Sequence, residues 1–316
     1  MLIVRNLLVE INTRDKYPHM TFTANGECLW SAGGDEIRMW RVEDRKQMAT
    51  MKVRAVWCLA VSPDGKWIAA GTKFGEALVW DAKTGKQVFS QKEPYSDPIN
   101  DVDFSPDSTR FVLAESLKGA SVWDIGTGKQ VLTLNHHLVS VNAAKYSPQG
   151  DRIATTTLDF VRVWDSNDGR MLVDIKPWQR IYSLGDSTDY LWFNNHLTLA
   201  YRDKIKRIDA STGSTISEWT IPRHTKPSWC IALPQHGEFI AYSTDRTITF
   251  WDTSTHTELG LIQHSQDIFS IAVSPDGQFL AISDLRGKIC IKNLSSLTAS
   301  SVSLDSDVCL NRLVSI

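Results

Sequence analysis

The sequence predicts an all-β chain of seven repeated four-stranded antiparallel sheets, and three observations predict it. The phrase VWDAKTGKQV at 79–88 returns as VWDIGTGKQV at 122–131. Its Trp-Asp pair, or a degenerate form of it, recurs on a regular beat along the chain. A second marker, Ser-Pro-x-Gly, precedes that pair by 15 to 18 residues. Self-similarity at a period of about 40 residues is the signature of a repeat architecture.

The anchors are Trp40-Arg41, Trp80-Asp81, Trp123-Asp124, Trp164-Asp165, Ile208-Asp209, Trp251-Asp252 and Lys292-Asn293, at intervals of 40 to 44 residues. The turn marker reads SPDG at 62–65, SPDS at 105–108, SPQG at 147–150 and SPDG at 274–277. Weaker forms are TANG at 23–26 and PQHG at 234–237. Each unit opens on an alternating strand such as VSVNAAKY at 139–146, with one buried face. SPxG then makes a tight turn, because Pro fixes φ, Asp bonds its own backbone and Gly takes positive φ. An apolar run too short for a helix follows, such as KWIAAG at 66–71. A third strand such as TITFWD at 247–252 ends on the anchor. TG or DG then turns the chain into a fourth strand such as KQVLTL at 129–134. Such a sheet cannot hide its apolar faces alone, whereas seven stacked radially can. Unit five keeps only its length, and its strands are read with Tyr190–Trp192 ending the first, 193–195 as turn and His196–Tyr201 as the next.

The seven in-register copies resemble the WD-repeat (Trp-Asp repeat) β-propeller family over essentially the whole chain of 316 residues. The resemblance implies a single seven-bladed β-propeller. It also implies a buried structural relay of His, Ser/Thr, Asp and Trp. One such set is His137, Thr157, Asp159 and Trp164, and another is His224, Ser243, Asp245 and Trp251. His137, His224 and His264 each sit ten residues before the turn marker, and none follows the family's Gly. A His–Asp–Ser relay invites a hydrolase reading. Groups that bond one another and an indole N–H are instead satisfied buried polars that fix strand geometry.

The ring needs a fourth strand for its last blade. The N-terminal segment 4–9, within a closing strand at 2–11, competes with 299–304, and the more apolar N-terminal segment is favoured. The tail 305–316 resembles the first strand of an eighth unit, as if the chain were part of a longer array.

Composition is that of an ordinary globular chain, 42% hydrophobic and 22% charged. A net charge of −2 argues against general nucleic-acid binding. Five scattered cysteines without CxxC spacing point to a reducing compartment, cytoplasmic or nuclear. The N-terminal MLIVRNLLVEI is too short and interrupted for a signal peptide or membrane span. Each Gly-Lys pair lacks the upstream Gly and the following Ser/Thr of a phosphate loop. No metal or cofactor motif is found. The carboxylates Asp97, Asp101, Asp103 and Asp107 read as solvated turns and edges. The basic run 202–207 reads as a solvated blade face, with an anionic contact as the functional alternative.

In the resembled family, partners gather on the face bearing the loops that enter each first strand. Counting five residues past the His position reaches Pro18, Trp57, Asn100, Asn142, Trp229 and Phe269. The aromatics are expected to cluster on one side with the asparagines opposite, either as a binding rim or as packing between blades. The reading is a non-catalytic scaffold for protein or peptide partners, without membrane or specific nucleic-acid contact and monomeric on its own. The alternatives are an adaptor or sensor propeller of a signalling or ubiquitin-ligase assembly, and a propeller-based hydrolase or lyase. Adaptors of this family carry Trp-Asp-x-Arg, and this chain has Trp80-Asp81-Ala82-Lys83.

Overall fold

The computed structural model describes residues 2–3, 7–12, 19–92, 97–116, 118–135, 139–157, 160–176, 189–201, 204–221 and 230–294. Two N-terminal strands come first, β1 (Leu2–Ile3) and β2 (Leu7–Asn12). Blade one is β3 (His19–Phe22), β4 (Cys28–Gly33), β5 (Glu36–Arg41) and β6 (Gln47–Lys52). Blade two is β7 (Val56–Val61), β8 (Trp67–Thr72), β9 (Glu76–Asp81) and β10 (Gln87–Lys92). Blade three is β11 (Ile99–Phe104), β12 (Arg110–Glu115), β13 (Gly119–Asp124) and β14 (Gln130–Leu134). Blade four is β15 (Ala143–Tyr146), β16 (Arg152–Thr156), β17 (Val161–Asp165) and β18 (Met171–Ile175). Blade five, where the sequence markers fade, still forms β19 (Asp189–Phe193), β20 (His196–Tyr201), β21 (Lys204–Asp209) and β22 (Thr215–Thr220). Blade six is β23 (Ile231–Ala232), β24 (Phe239–Thr244), β25 (Thr247–Asp252) and β26 (Glu258–Gln263). Blade seven is β27 (Ile268–Val273), β28 (Phe279–Asp284) and β29 (Lys288–Asn293), completed by β2.

Neighbouring first strands touch in succession around the whole ring, β27 against β3 included, so the sheets form a closed seven-bladed propeller. No helix occurs among the described residues, and so none long and apolar enough to cross a membrane.

The turn markers work through their hydroxyls. Ser62 Oγ donates to Asp64 at 2.7 Å and accepts from the Trp67 amide at 2.9 Å. Ser105 and Ser274 repeat this with Asp107 and Asp276, each accepting the amide five residues on. In SPQG the Asp is missing, and Ser147 turns to Asp151 at 2.8 Å. Gly65 and Gly277 hold φ near +71° and +72°. The serine in SPDS, Ser108, adopts φ +59° in their place, and its hydroxyl accepts the Asp64 amide of blade two at 3.2 Å. The Asp of the Trp-Asp anchor caps the next turn. Asp252 takes the Ser254 hydroxyl and the Ser254 and Thr255 amides, and these bonds hold its carboxyl down at about 2.

The core is a ring of seven interfaces, because each buried cluster joins two blades. Phe250 and Ile262 of blade six meet Ile271 and Leu280 of blade seven, and Leu29 of blade one meets Ile289 and Ile291 of blade seven. At Gly71 a Cβ would lie 2.4 Å from Ile99 of blade three, so only glycine admits that approach. Outer strands are mostly exposed, as the pattern of β6 and β22 shows.

Ring closure uses the N-terminus. Strand β2 pairs antiparallel with β29, from Leu7↔Lys292 to Asn12↔Lys288. The paired segment lies three residues further along than the 4–9 segment read from the sequence. The rival segment 299–304 and the tail 305–316 lie outside the described residues. Strand β1 pairs parallel with β26, Leu2↔Gly260 and Ile3↔Leu261, giving blade six a fifth strand that the sequence reading did not anticipate. A two-residue strand carries no periodicity to read.

Candidate partner-binding rim

Three rings from three consecutive blades meet at one mouth of the channel. His19 opens β3, Trp57 is the second residue of β7, and Phe269 is the second residue of β27. The His19 ring lies 6.1 Å from Trp57 and 5.0 Å from Phe269, edge-on to both. All three are half-buried, so they pack between blades and still present surface. Burial, then the charges of Lys73 and Lys145, push the His19 imidazole down to about 4, so it is neutral near pH 7. Its Nε2 is enclosed and has no hydrogen-bond partner among the described residues. His19 escaped the sequence count, which landed one residue short, on Pro18. Pro18 and Trp229 lie outside the described residues.

Beside the rings stand two cations. Lys73 Nζ sits 4.4 Å over the Trp57 ring, and the Arg54 guanidinium sits 5.3 Å over Phe74. Phe74 is 50% exposed. The Lys73 amide donates to Ala55 O at 3.0 Å, which lashes the two loops together.

The asparagines behave differently. Asn100 Nδ2 donates to Val141 O at 2.7 Å and to Ser140 at 3.1 Å, while its Oδ1 accepts from Ser116 at 3.3 Å. That amide braces blade three against blade four. Asn142 is half-buried, and its backbone amide donates to Thr156 O. Asp101 and Asp103 are tied in as well, contrary to their reading as solvated edges. Asp101 accepts the Ala144 amide at 3.2 Å and pairs with Lys145 at 3.1 Å. Asp103 accepts the Tyr146 amide at 2.8 Å, and burial lifts its carboxyl to about 6. The described part of the basic run, 204–207, is also engaged. Lys204 and Lys206 share Glu218, and Arg207 donates to Thr253 O at 3.1 Å.

The relay residues fall into two arrangements. Trp164 Nε1 donates to Thr155 at 2.8 Å, and Trp40 Nε1 to Ser31 at 2.9 Å, in each case nine residues upstream on the neighbouring strand. Trp251 Nε1 donates to Thr249 at 3.2 Å, and Trp123 Nε1 to Ser121 at 2.9 Å, two residues upstream on the same strand. The hydroxyl of Ser243 instead donates to Cys230 O at 3.2 Å, and that of Thr157 to Phe160 O at 3.4 Å. Asp245 lies in the β24–β25 turn, where its carbonyl accepts the Ile268 amide at 2.6 Å. His137, Asp159 and His224 lie outside the described residues. A buried His–Asp contact occurs elsewhere, His264 Nε2 to Asp284 Oδ2 at 3.5 Å, with side chains 6% and 1% exposed. Burial outweighs Asp284 and lowers the His264 pKa. So enclosed a pair is out of a substrate's reach.

Among the described residues no group of three or more His, Cys, Asp or Glu could hold a metal, and Cys28, Cys58, Cys230 and Cys290 form no disulfide. The Cys58 and Cys230 thiols donate across blade interfaces to Ile99 O and Phe269 O.

The family model described as WD domain, G-beta repeat matches residues 45–81, 128–165, 216–252 and 255–291. The first three matches begin near the outer strand of one blade and end on the third strand of the next, which is why a separate strand must close the ring. WD repeat-containing protein 18 of Danio rerio is 25% identical over 291 residues, 82% of this chain and 65% of that protein. Serine-threonine kinase receptor-associated protein of Gallus gallus is 25% identical over 147 residues, 46% of this chain and 41% of that protein. The chain thus spans less than two thirds of the length of either relative. A chain from a crystal structure of the mitotic checkpoint complex superposes with a TM-score of 0.79 at 14% identity, over 92% of each chain. That likeness shows the fold alone. With four matched repeats, WD-repeat relatives and seven four-stranded blades in a closed ring, the chain carries WD repeats and folds as a seven-bladed β-propeller.

Proposed function

We propose that this protein is a non-catalytic scaffold that holds a protein or peptide partner at the rim of its channel, on the sector made by blades seven, one and two. The observation that carries this reading is the contact of Trp57, His19 and Phe269 at one mouth, half-buried on a rigid frame. Aromatic side chains fixed by packing lose little entropy on binding and are the commonest interface anchors. The name of the Gallus gallus relative describes an association with a receptor, in keeping with such a role. The four described cysteines, which form no disulfide, suit a cytoplasmic or nuclear setting.

The test is Trp57→Ala, with Phe269→Ala as its companion, followed by quantitative capture of partners from the native cell and by thermal melting. Loss of the captured partners with a melting curve still cooperative supports the rim. Partners retained at full yield by both variants would remove it.

A further inference from the structure

We infer that the segment received at this rim is an acidic peptide, its carboxylates taken by Arg54 and Lys73 and an apolar side chain laid on Phe74. This rests on the scaffold reading above and names the chemistry of its partner. Neither Arg54 nor Lys73 pairs with a carboxylate among the described residues; each is laid over an aromatic ring instead. An ion pair would cancel the charge, whereas a neutral ring leaves the positive potential in place. Three carboxylates of blades one and three have partners of their own. Asp35 accepts the Ala55 amide at 2.9 Å, Glu36 pairs with Arg38, and Asp101 pairs with Lys145. Arg54 and Lys73 thus bring two positive charges that no described carboxylate pairs with, on a chain whose net charge is −2. Hydrogen bonding between the loops holds the two cations on adjacent chain segments, and Phe74, 50% exposed, offers an apolar surface beside Arg54. The neutral His19 adds no competing charge.

Charge complementarity selects the class of partner. A peptide with two acidic residues and one apolar residue uses every group of the patch. Single-stranded RNA fits less well. Two cations neutralise too few phosphates for strong backbone binding, and each ring already carries a cation on one face where a base would stack.

The probe is a display library of random twelve-residue peptides, selected on the wild-type protein and on the double variant Arg54→Gln/Lys73→Gln. A single-stranded RNA twelve-mer is titrated in parallel. The expected result is enrichment of peptides that combine at least two Asp or Glu with an apolar residue. A synthetic peptide of that consensus should bind the double variant roughly ten-fold more weakly, with unchanged melting. Should the double variant fail to fold, Arg54→Gln alone gives the same readout, since that side chain lies over an exposed ring. Enriched peptides lacking acidic residues, acidic peptides that bind variant and wild type alike, or tighter binding of the RNA would overturn the inference. Neutral or basic peptides that require Trp57 would leave the rim standing and remove only the acidic assignment. No enrichment at all would remove both.

Discussion

Blades three and four hold one sector of the channel mouth, and blades seven, one and two hold another. In the first, Asn100, Asp101, Asp103 and Lys145 all bond within or across the blade interface. In the second, the side chains of Phe269 and Trp57 each meet the His19 ring, and the cations beside them rest on rings. A polar group committed to the neighbouring blade rigidifies the ring and has less left for a partner. A half-exposed aromatic edge keeps its contact area in reserve. One sector braces the frame, and the other is the face we propose for a partner.

The largest way to break this comparison is to open the ring. Deleting residues 2–12 removes β2 from β29 and β1 from β26, on the two blades next to the aromatic sector. A strand of this apolar composition, LLVEIN, is expected to contribute about 4–8 kcal/mol before the entropy gain is counted. Typical domain stability is about 5–15 kcal/mol, so denaturant melts should show near-complete loss. An unchanged midpoint would mean that the clasp contributes nothing.

A smaller effect is expected in the polar sector. Asp103→Ala strands the Tyr146 amide and should cost about 1–3 kcal/mol while leaving partner capture intact. Asp103→Asn sharpens the point through pH. The folded carboxyl titrates at about 6, above the unfolded value of about 4, so the folded state holds a proton that the unfolded state releases. That contribution is fully present below about pH 4 and is lost as pH rises through about 6. Urea midpoints measured across this window should therefore fall less steeply with pH in the variant than in the wild type.

The smallest effect lies at the edge of the aromatic sector. Ala55 holds φ +56°, a left-handed conformation that glycine adopts without strain. Ala55→Gly should stabilise by about 0.5 kcal/mol, the relief of strain being partly offset by the freer unfolded chain. It should also leave partner capture unchanged, because the Ala55 amide still reaches Asp35.

The two sectors were not equally legible in the sequence. The blades were, because period, turn residues and alternation are local properties. Even blade five forms its four strands with Ile208 in place of Trp, and Asp209 still caps its turn through the Ser211 and Thr212 amides. Phe269 follows from counting five residues past His264, and Trp57 from the matching position of unit two, Lys52, whereas the same count in unit one stops one residue short of His19. Side-chain partners across an interface were not legible. Thr155 accepts from Trp164, and Thr249 from Trp251, because the indole takes whichever hydroxyl strand register and twist bring near. Asp101 and Asp103 looked solvated because nothing in a single repeat says that the next blade's amides lie against it.

The measurement that tests the central claim most directly is hydroxyl-radical footprinting of the protein alone and within its affinity-purified native complex. Trp57 and Phe269 should be protected in the complex, while Met48 and Met171 on outer strands, 42% and 37% exposed, should react as they do in the free protein. Protection confined to the outer strands, with Trp57 and Phe269 reacting equally in both states, would contradict the account.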